Sequence, residues 1–233
     1  AFAAAVADMA PGTPPPWRAR TEAARADYLE WCRPVANPGA LQMAEVVAWL
    51  ADTLPPDAVV TNGAGNYSIW VHRFYRYRRY RTQLGPTSGS MGYGLPAAVA
   101  AKRLHPERTV VAFAGDGCFQ MTGQEFGTAV QYGLPVIVIL VNNGMWGTIR
   151  MHQERSYPGR VSATDLVNPD FAKLAEAYGG HGEVVERTED FPAAFERARA
   201  AGRPALIELR LDPEAITVTQ TLSEVRAKAR RER

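Results

Sequence analysis

Apolar and polar residues follow one another along most of this chain in blocks that predict strands separated by helices. Short apolar runs rich in β-branched residues predict strands at 58–61, 110–114, 136–141, 184–185 and 205–211. Longer stretches with one apolar face predict helices at 40–53, 96–104, 118–133, 170–178 and 190–200. Strands that alternate with helices are typical of parallel sheets. The pattern therefore predicts an α/β fold: a doubly wound, mostly parallel sheet with helices on both faces.

Local signals bound the helix that is predicted between the strands at 110–114 and 136–141. Thr122-Gly123-Gln124-Glu125 has the pattern of a capping box, in which a threonine side chain and a glutamate side chain bond to the first turn. Gly133 is a suitable residue for the end of the helix. We therefore expect one continuous helix here.

The first 34 residues differ from the rest of the chain. Two helices are expected, at 1–10 and 21–32, with a proline-rich break at 11–16 between them. We interpret 1–34 as the tail of a preceding domain with its linker, and 35–233 as one domain with a C-terminal arm from about residue 216. The arm is expected to form a solvated helix.

Polar residues that bind metals follow two of the predicted strands directly. Gly115-Asp116-Gly117 comes after the strand at 110–114, and Asn142-Asn143 comes after the strand at 136–141. Two strands joined by one helix are parallel neighbours, so their carboxyl ends lie at the same edge of the sheet. Carboxylate and amide oxygens suit Mg²⁺, which completes its shell with water and phosphate oxygens. The sequence therefore predicts a magnesium diphosphate site in this crevice.

These motifs resemble the signature of thiamine diphosphate (ThDP) enzymes, in particular the acetolactate synthase and benzoylformate decarboxylase branch. Two further stretches agree with that branch in order and spacing, Gly89 to Ala98 and Gly65 to Trp70. The resemblance covers roughly 34–211. It implies that 35–233 is the C-terminal domain that binds the diphosphate and Mg²⁺, and that 1–34 is the tail of the family's central domain. In this family the C-terminal segment can cover the active site, so a lid is the alternative interpretation of the arm.

The resemblance also implies roles for individual residues. The metal ligands would be Asp116, Asn143 and the backbone carbonyl of Met145. Met91 would support the bent form of the cofactor, and the Gly89 carbonyl would accept a hydrogen bond from its amino group. Further cofactor contacts are implied for Gly65, Asn66, Tyr67, Gly115, Gly117, Cys118, Trp146 and Gly147. Asn66-Tyr67 stands where acetolactate synthases usually have Gln-His, so these two side chains depart from the family pattern.

The implied activity is that of a carboligase or decarboxylase of 2-oxo acids. In this family the activating glutamate comes from a pyrimidine-binding domain of the same or a neighbouring chain, and no match to that domain occurs here. We therefore expect no catalytic residue in this chain, and an active protein that is a homodimer or homotetramer. The chain is either part of a longer protein or one subunit of a split enzyme, and a non-catalytic cofactor-binding subunit is the alternative.

The sequence leaves the substrate, the acceptor and any requirement for FAD open. Arg150, His152 and Gln153 follow the Asn-Asn motif by about two helical turns, and they either face the substrate or lie on a surface helix. Gly92-Tyr93-Gly94-Leu95-Pro96-Ala97 also fits the loose dinucleotide fingerprint, with Asp116 after the next strand. A nicotinamide-dependent dehydrogenase would leave Asn142-Asn143 without a role, so it is the weaker hypothesis.

Composition and charge limit the classes of binding partner that the sequence predicts. Residues 72–81 combine five arginines with four aromatic residues, a pattern that nucleic-acid surfaces share with oligomer contacts and solvated faces. The net charge of only +2 favours the latter two. The two cysteines predict no disulfide framework. Cys118 is expected to serve as a small residue beside the diphosphate, with a reactive thiol as the alternative. We expect a cytoplasmic enzyme without a membrane or nucleic-acid partner.

Overall fold

The computed structural model describes residues 2–7 and 15–232. The chain divides into two compact units, Ala1–Arg33 and Pro34–Arg233. The first unit contains α1 (Phe2–Ala7) and α2 (Arg18–Trp31). The end of the helix predicted at 1–10 and most of the proline-rich break lie outside the described residues.

One six-stranded sheet forms the centre of the second unit. Its strands lie in the order β2-β1-β3-β4-β6-β5, and every adjacent pair is parallel. The strands are β1 (Val59–Asn62), β2 (Gln83–Leu84), β3 (Val110–Gly115), β4 (Ile137–Asn142), β5 (His181–Val185) and β6 (Ala205–Arg210). β3 and β4 lie at the middle of the sheet and are almost wholly buried, because helices cover both of its faces.

The helices of the second unit divide between those two faces. They are α3 (Met43–Thr53), α4 (Tyr67–Phe74), α5 (Gly94–Leu104), α6 (Asp116–Gln120), α7 (Glu125–Gln131), α8 (Gly147–Ser156), α9 (Phe171–Ala177), α10 (Phe191–Ala200) and α11 (Leu222–Arg231). Along β3, Val111 and Phe113 pack into a core with residues of α3, α4 and α10. Val110 and Ala112 face the opposite core, with residues of α5, α7 and α9. The predicted doubly wound α/β fold is therefore confirmed.

The prediction of one continuous helix at 118–133 is wrong. α6 ends at Gln120 and α7 begins at Glu125, with a turn between them. The predicted capping box is also wrong: the N-cap of α7 is Gln124, whose side chain makes no capping bond. The Thr122 hydroxyl instead donates to the carbonyl of Gly92, 2.7 Å away. A tertiary contact has therefore replaced the local one.

Two elements between 63 and 84 were not predicted from the sequence. α4 carries Trp70 and Phe74, which are both almost fully buried. Arginines and aromatic residues surround them in the sequence, so the helical spacing of buried positions was not recognised. β2 has only two residues and pairs with β1 at the edge of the sheet. The pattern gave no signal for it because a two-residue strand is too short to show alternation.

The C-terminal arm ends in a helix, as expected, but that helix is not solvated on all sides. Leu222 and Val225 of α11 are buried in a small apolar cluster with Met145, Met151 and Ile216. α11 also begins with a capping box formed by Thr221 and Glu224. None of the helices in the described residues combines the length and apolar character that a membrane crossing requires.

Candidate functional site

A cleft opens at the carboxyl edge of the sheet, where β1, β3 and β4 end side by side. It encloses about 820 Å³, counting the part that is open to solvent. All the residues predicted to contact the cofactor line this one cleft: Gly65, Asn66, Tyr67, Gly89, Met91, Gly115, Asp116, Gly117, Cys118, Asn143, Met145, Trp146 and Gly147. Four separate chain segments therefore meet at the place predicted from the motifs.

Asp116 is the buried carboxylate of the cleft, and it lies just beyond β3. Its Oδ1 accepts a hydrogen bond from the amide of Gly117 at 2.9 Å, and its Oδ2 accepts one from the amide of Gly144 at 3.0 Å. The side chain of Asn168 donates a further bond to Oδ2 at 2.8 Å. Burial raises the pKa of Asp116 above the ordinary carboxyl value, and these three bonds oppose that rise.

The two asparagines at the end of β4 have different surroundings. Asn143 lines the cleft. Asn142 lies beneath it: its Nδ2 donates to buried Glu208 at 2.8 Å, and its Oδ1 accepts from Gly144 and Asn168. Asn142 thus supports the loop at 142–147, and Asn143 is the asparagine that a bound cation can reach.

The first turn of α8 faces the cleft through Gly147, Thr148 and Ile149. Amides in the first turn of a helix have no acceptor within the helix, and no side chain caps this end of α8. The helix dipole adds positive character at the same place. The cleft therefore has an amide-lined end suited to phosphate oxygens.

The Trp146 ring packs closely against the backbone of Gly117, the second glycine of the Gly-Asp-Gly motif. A Cβ at Gly117 would lie 2.3 Å from an atom of the Trp146 ring, so only glycine permits the present packing of that ring against the cleft floor. Gly89 has a different reason: its φ of +68° is rarely adopted by other residues.

The segment that carries Met91 is fastened to the motif after β3. The amide of Gly92 donates to the thiol sulfur of Cys118 at 3.1 Å, and the Gly92 carbonyl accepts from Thr122. The Met91 side chain lines the cleft and is about one-third exposed. Cys118 is buried, so its thiol serves here as an anchor for this segment.

The polar atoms of Asn66 and Tyr67 are engaged by the protein, although both residues line the cleft. The Asn66 side chain donates to the carbonyl of Ile216 at 2.9 Å and accepts from Thr148 at 2.8 Å. The Tyr67 hydroxyl lies 3.4 Å from the sulfur of Cys118, and burial holds its pKa well above the ordinary value. These two residues can therefore offer a ligand their surfaces more readily than their polar groups.

The residues considered for substrate contact after the Asn-Asn motif lie outside the cleft lining. Arg150 pairs with Glu154 and Asp165. Gln153 bonds to the backbone of Ser162 through both ends of its amide, and His152 is exposed. Of the two interpretations, the surface-helix one fits this arrangement.

The arginine-rich run at 72–81 is held largely by contacts with neighbouring parts of the same unit. Arg76 pairs with Asp52 at 2.8 Å, and Arg79 lies 3.8 Å from Asp57. Arg78 donates to the carbonyl of Leu54. These contacts join the run to residues 52–57.

The donor set of the cleft fits Mg²⁺. In the described residues, no group of three His, Cys, Asp or Glu side chains comes together as a metal site. The cleft instead offers the carboxylate of Asp116, the amide of Asn143 and the backbone at Met145. Such oxygen ligands, few in number, suit a cation that keeps water and phosphate oxygens in its shell.

Several residues of the site were missed by the motif analysis. Asn168 precedes the helix predicted at 170–178 and belongs to none of the motifs, yet its amide reaches Asp116 across 52 positions of sequence. Ile216, from the arm, forms part of the cleft wall. Asn168-Pro169 is an ordinary turn signal, so its reach to Asp116 could not be inferred locally.

Comparison with protein families gives a match between residues 63–209 and the model of the thiamine pyrophosphate enzyme, C-terminal TPP binding domain. The match covers more than half of the chain and includes every motif that lines the cleft. The chain belongs to this family. The predicted resemblance is confirmed, and with it a ThDP-binding domain.

Relatives of this ThDP-binding chain include acetolactate synthases. The acetolactate synthase large subunit IlvB1 of Mycobacterium tuberculosis is 41% identical over 184 residues, which are 76% of this chain and 30% of the relative. The acetolactate synthase isozyme 2 large subunit of Escherichia coli is 36% identical over 165 residues, 70% of this chain and 30% of that protein. The chain therefore spans about a third of the length of these relatives.

A solved structure agrees with the sequence comparisons. The thiamine diphosphate-dependent 4-hydroxybenzoylformate decarboxylase of Rhodococcus jostii RHA1 superposes with a TM-score of 0.71 at 34% sequence identity. The match covers 77% of this chain and 34% of that one. Family membership favours the ThDP interpretation over the dinucleotide one. The strand topology agrees: the strand before the Gly92–Ala97 fingerprint is β2, which lies at the edge of the sheet, whereas the fingerprint of a dinucleotide-binding fold follows a central strand.

Proposed function

We propose that this chain supplies the diphosphate- and Mg²⁺-binding half of the active site of a ThDP-dependent 2-oxo acid carboligase or decarboxylase. The observation that carries the proposal is the convergence of Asp116, Asn143 and Met145 with the uncapped first turn of α8 around one cleft. The relatives, which include acetolactate synthases and a decarboxylase, support the choice of reaction class.

Each group of cleft residues has a role in this proposal. Asp116, Asn143 and the Met145 carbonyl hold Mg²⁺, and the amides of Gly147 and Thr148 bind diphosphate oxygens. Gly65, Asn66, Tyr67, Gly115, Gly117, Cys118 and Trp146 shape the diphosphate end of the cleft, and Gly89 and Met91 hold the cofactor in its bent form. Ile149, Leu211 and Ile216 give the cleft apolar walls that exclude water.

When bound, ThDP would supply a nucleophilic carbon for addition to the 2-oxo group and a sink for the electrons released by decarboxylation. This chain contributes position and electrostatics to that chemistry. The activating glutamate belongs to a pyrimidine-binding domain of the same protein or of a neighbouring chain, in a homodimer or homotetramer. The coverage of only about 30% of the acetolactate synthase relatives supports a missing domain of this kind.

Binding of ThDP to the intact protein, with any polypeptide that co-purifies with it, tests the proposal. We expect Mg²⁺-dependent quenching of tryptophan fluorescence by ThDP, because Trp146 lines the cleft. Asp116→Ala should weaken Mg²⁺-dependent binding by more than roughly 100-fold, beyond the loss typical of residues that only support a ligand. Unchanged binding in Asp116→Ala would refute the metal site.

Asp52→Ala is the matched control, because it removes an exposed aspartate from the pair with Arg76. It should leave ThDP binding unchanged. Product analysis then separates the reactions: with pyruvate as probe, acetolactate indicates carboligation and free aldehyde indicates decarboxylation. Cofactor binding without turnover, when a pyrimidine-binding domain is present, would instead support the non-catalytic subunit.

A further inference from the structure

The carboxylate of Asp116 receives a bond from a residue that none of the motifs contains. Asn168 lies just before α9, at the end of a long loop that begins after α8. Its Nδ2 donates to Asp116 Oδ2 at 2.8 Å and to Asn142 Oδ1 at 2.9 Å. Both hydrogens of this amide nitrogen are thereby used, one for each acceptor.

The orientation of the Asn168 amide is fixed from its other side. Its Oδ1 accepts a bond from the Gln120 side chain at 2.9 Å. An inverted amide would place its oxygen against the acceptor oxygens of Asp116 and Asn142, which is unfavourable. The residue therefore has one satisfied arrangement, and in it the donors face the carboxylate.

The loop that carries Asn168 is also fixed to the backbone beside Met145. The backbone carbonyl of Thr164 accepts a bond from the amide of Trp146 at 2.8 Å, and the amide of Leu166 donates to the carbonyl of Gly144 at 2.8 Å. The position of Asn168 is thus set relative to the same loop that would provide two of the metal ligands. Beneath it, Asn142 is held in turn by buried Glu208.

The protein occupies most of the acceptor sites of the Asp116 carboxylate. A carboxylate oxygen has about two acceptor sites, and those of Oδ2 are taken by Gly144 and Asn168. Oδ1 accepts the Gly117 amide, and the backbone amide of Asp116 itself also interacts with the carboxylate. Oδ1 is therefore the less occupied of the two oxygens and the one available to a cation, in a carboxylate whose rotation these bonds restrict.

We propose that Asn168 is a positioning residue for the divalent cation, which holds the Asp116 carboxylate in the orientation that Mg²⁺ requires. The inference rests on the proposed function of the cleft and assigns Asn168 a part in the choice of metal. Mg²⁺ demands near-octahedral geometry at short distances, whereas Ca²⁺ accepts longer and more variable ones. A carboxylate released from Asn168 would consequently lose more affinity for Mg²⁺ than for Ca²⁺.

Titration of the intact protein with MgCl₂ and separately with CaCl₂, at saturating ThDP, tests this role through tryptophan fluorescence. We expect Asn168→Ala to weaken Mg²⁺ binding roughly 10- to 100-fold, as is typical for residues that orient a ligand, and Ca²⁺ binding several times less. Equal losses for the two cations would indicate a merely structural role and overturn the inference, as would unchanged Mg²⁺ affinity.

Two further variants serve as controls. Gln153→Ala loosens the same loop at Ser162 without removing a donor to Asp116, so its Mg²⁺ affinity should stay within about twofold of wild type. Asn168→Ser guards against loss of folding: its hydroxyl can donate only one bond, so we expect an intermediate loss of Mg²⁺ affinity. Wild-type affinity in Asn168→Ser would contradict the proposal.

The wild-type titration distinguishes failure of the proposed function from failure of the positioning role of Asn168. If the wild-type protein binds ThDP without any divalent cation, or does not bind it at all, the proposed function itself fails. If the wild type requires Mg²⁺ and Asn168→Ala behaves identically, only the positioning role fails.

Discussion

Glu154 of α8 and Arg226 of α11 form a two-pronged ion pair across 72 positions of sequence. Arg226 donates from Nε at 2.8 Å and from Nη2 at 2.7 Å. The same carboxylate accepts from Arg150 and from the amide of Gly159, and the Glu154 side chain is only 1% exposed. This pair fastens the C-terminal helix to the helix whose first turn lines the cleft.

Removal of one partner of this pair should destabilise the protein. We expect Arg226→Ala to lower the free energy of unfolding by about 2 kcal/mol, because a buried carboxylate loses a charged donor. Urea unfolding at neutral pH measures the change. Lys228→Ala removes a cation from the same helix, where it only approaches Glu232 at 3.9 Å, so it should cost less than about 0.5 kcal/mol. Equal losses in the two variants would contradict the prediction.

The stabilisation from Glu154 should disappear in acid. The hydrogen bond from Arg226, with those from Gly159 and Arg150, lowers the pKa of Glu154 from 4.5 to about 2 despite burial. Because the folded-state pKa is the lower one, the contribution is complete above pH 4.5 and is lost as the pH falls towards 2. The difference in unfolding free energy between wild type and Glu154→Gln should therefore shrink by roughly 3 kcal/mol over that range. A difference that does not vary with pH would rule this out.

A single methyl group at Gly117 should disturb the cleft. Its Cβ would lie 2.3 Å from the Trp146 ring, so Gly117→Ala must displace that ring. We expect ThDP to bind about tenfold more weakly, from the cost of overpacking, with a change in tryptophan emission before any ligand is added. Gly127→Ala in α7 is the control. Its Cβ would lie 3.2 Å from the nearest atom of the Tyr178 ring, and the variant should leave ThDP affinity unchanged.

The hydroxyl of Tyr67 should matter little for ThDP binding, because its contacts with Cys118 and the Phe113 carbonyl are both long, at 3.4 Å. We expect Tyr67→Phe to retain ThDP affinity within about twofold and to lose less than about 1 kcal/mol of stability. Tyr67→Ala removes the ring from the cleft wall and should cost about 3–5 kcal/mol, as for other buried aromatic residues. A large loss of affinity in Tyr67→Phe would instead indicate a direct bond to the ligand.

The order of strands and helices was predictable because burial leaves a periodic pattern in each element. The runs at 110–114 and 136–141 are apolar throughout, since β3 and β4 are covered on both faces. A turn that a distant residue stabilises leaves no such pattern. The break between α6 and α7 was missed for this reason: Thr122 bonds to Gly92 from another segment.

The sequence alone determined the edge of the sheet at which the candidate site lies, because Asp116 and Asn143 directly follow two parallel strands and parallel strands end together. Tertiary structure decided the rest. It placed Asn142 beneath the cleft, brought Asn168 to Asp116, and packed α11 onto α8. These contacts join residues far apart in the chain, and their energies come from burial and bonds that form only when the whole domain has folded.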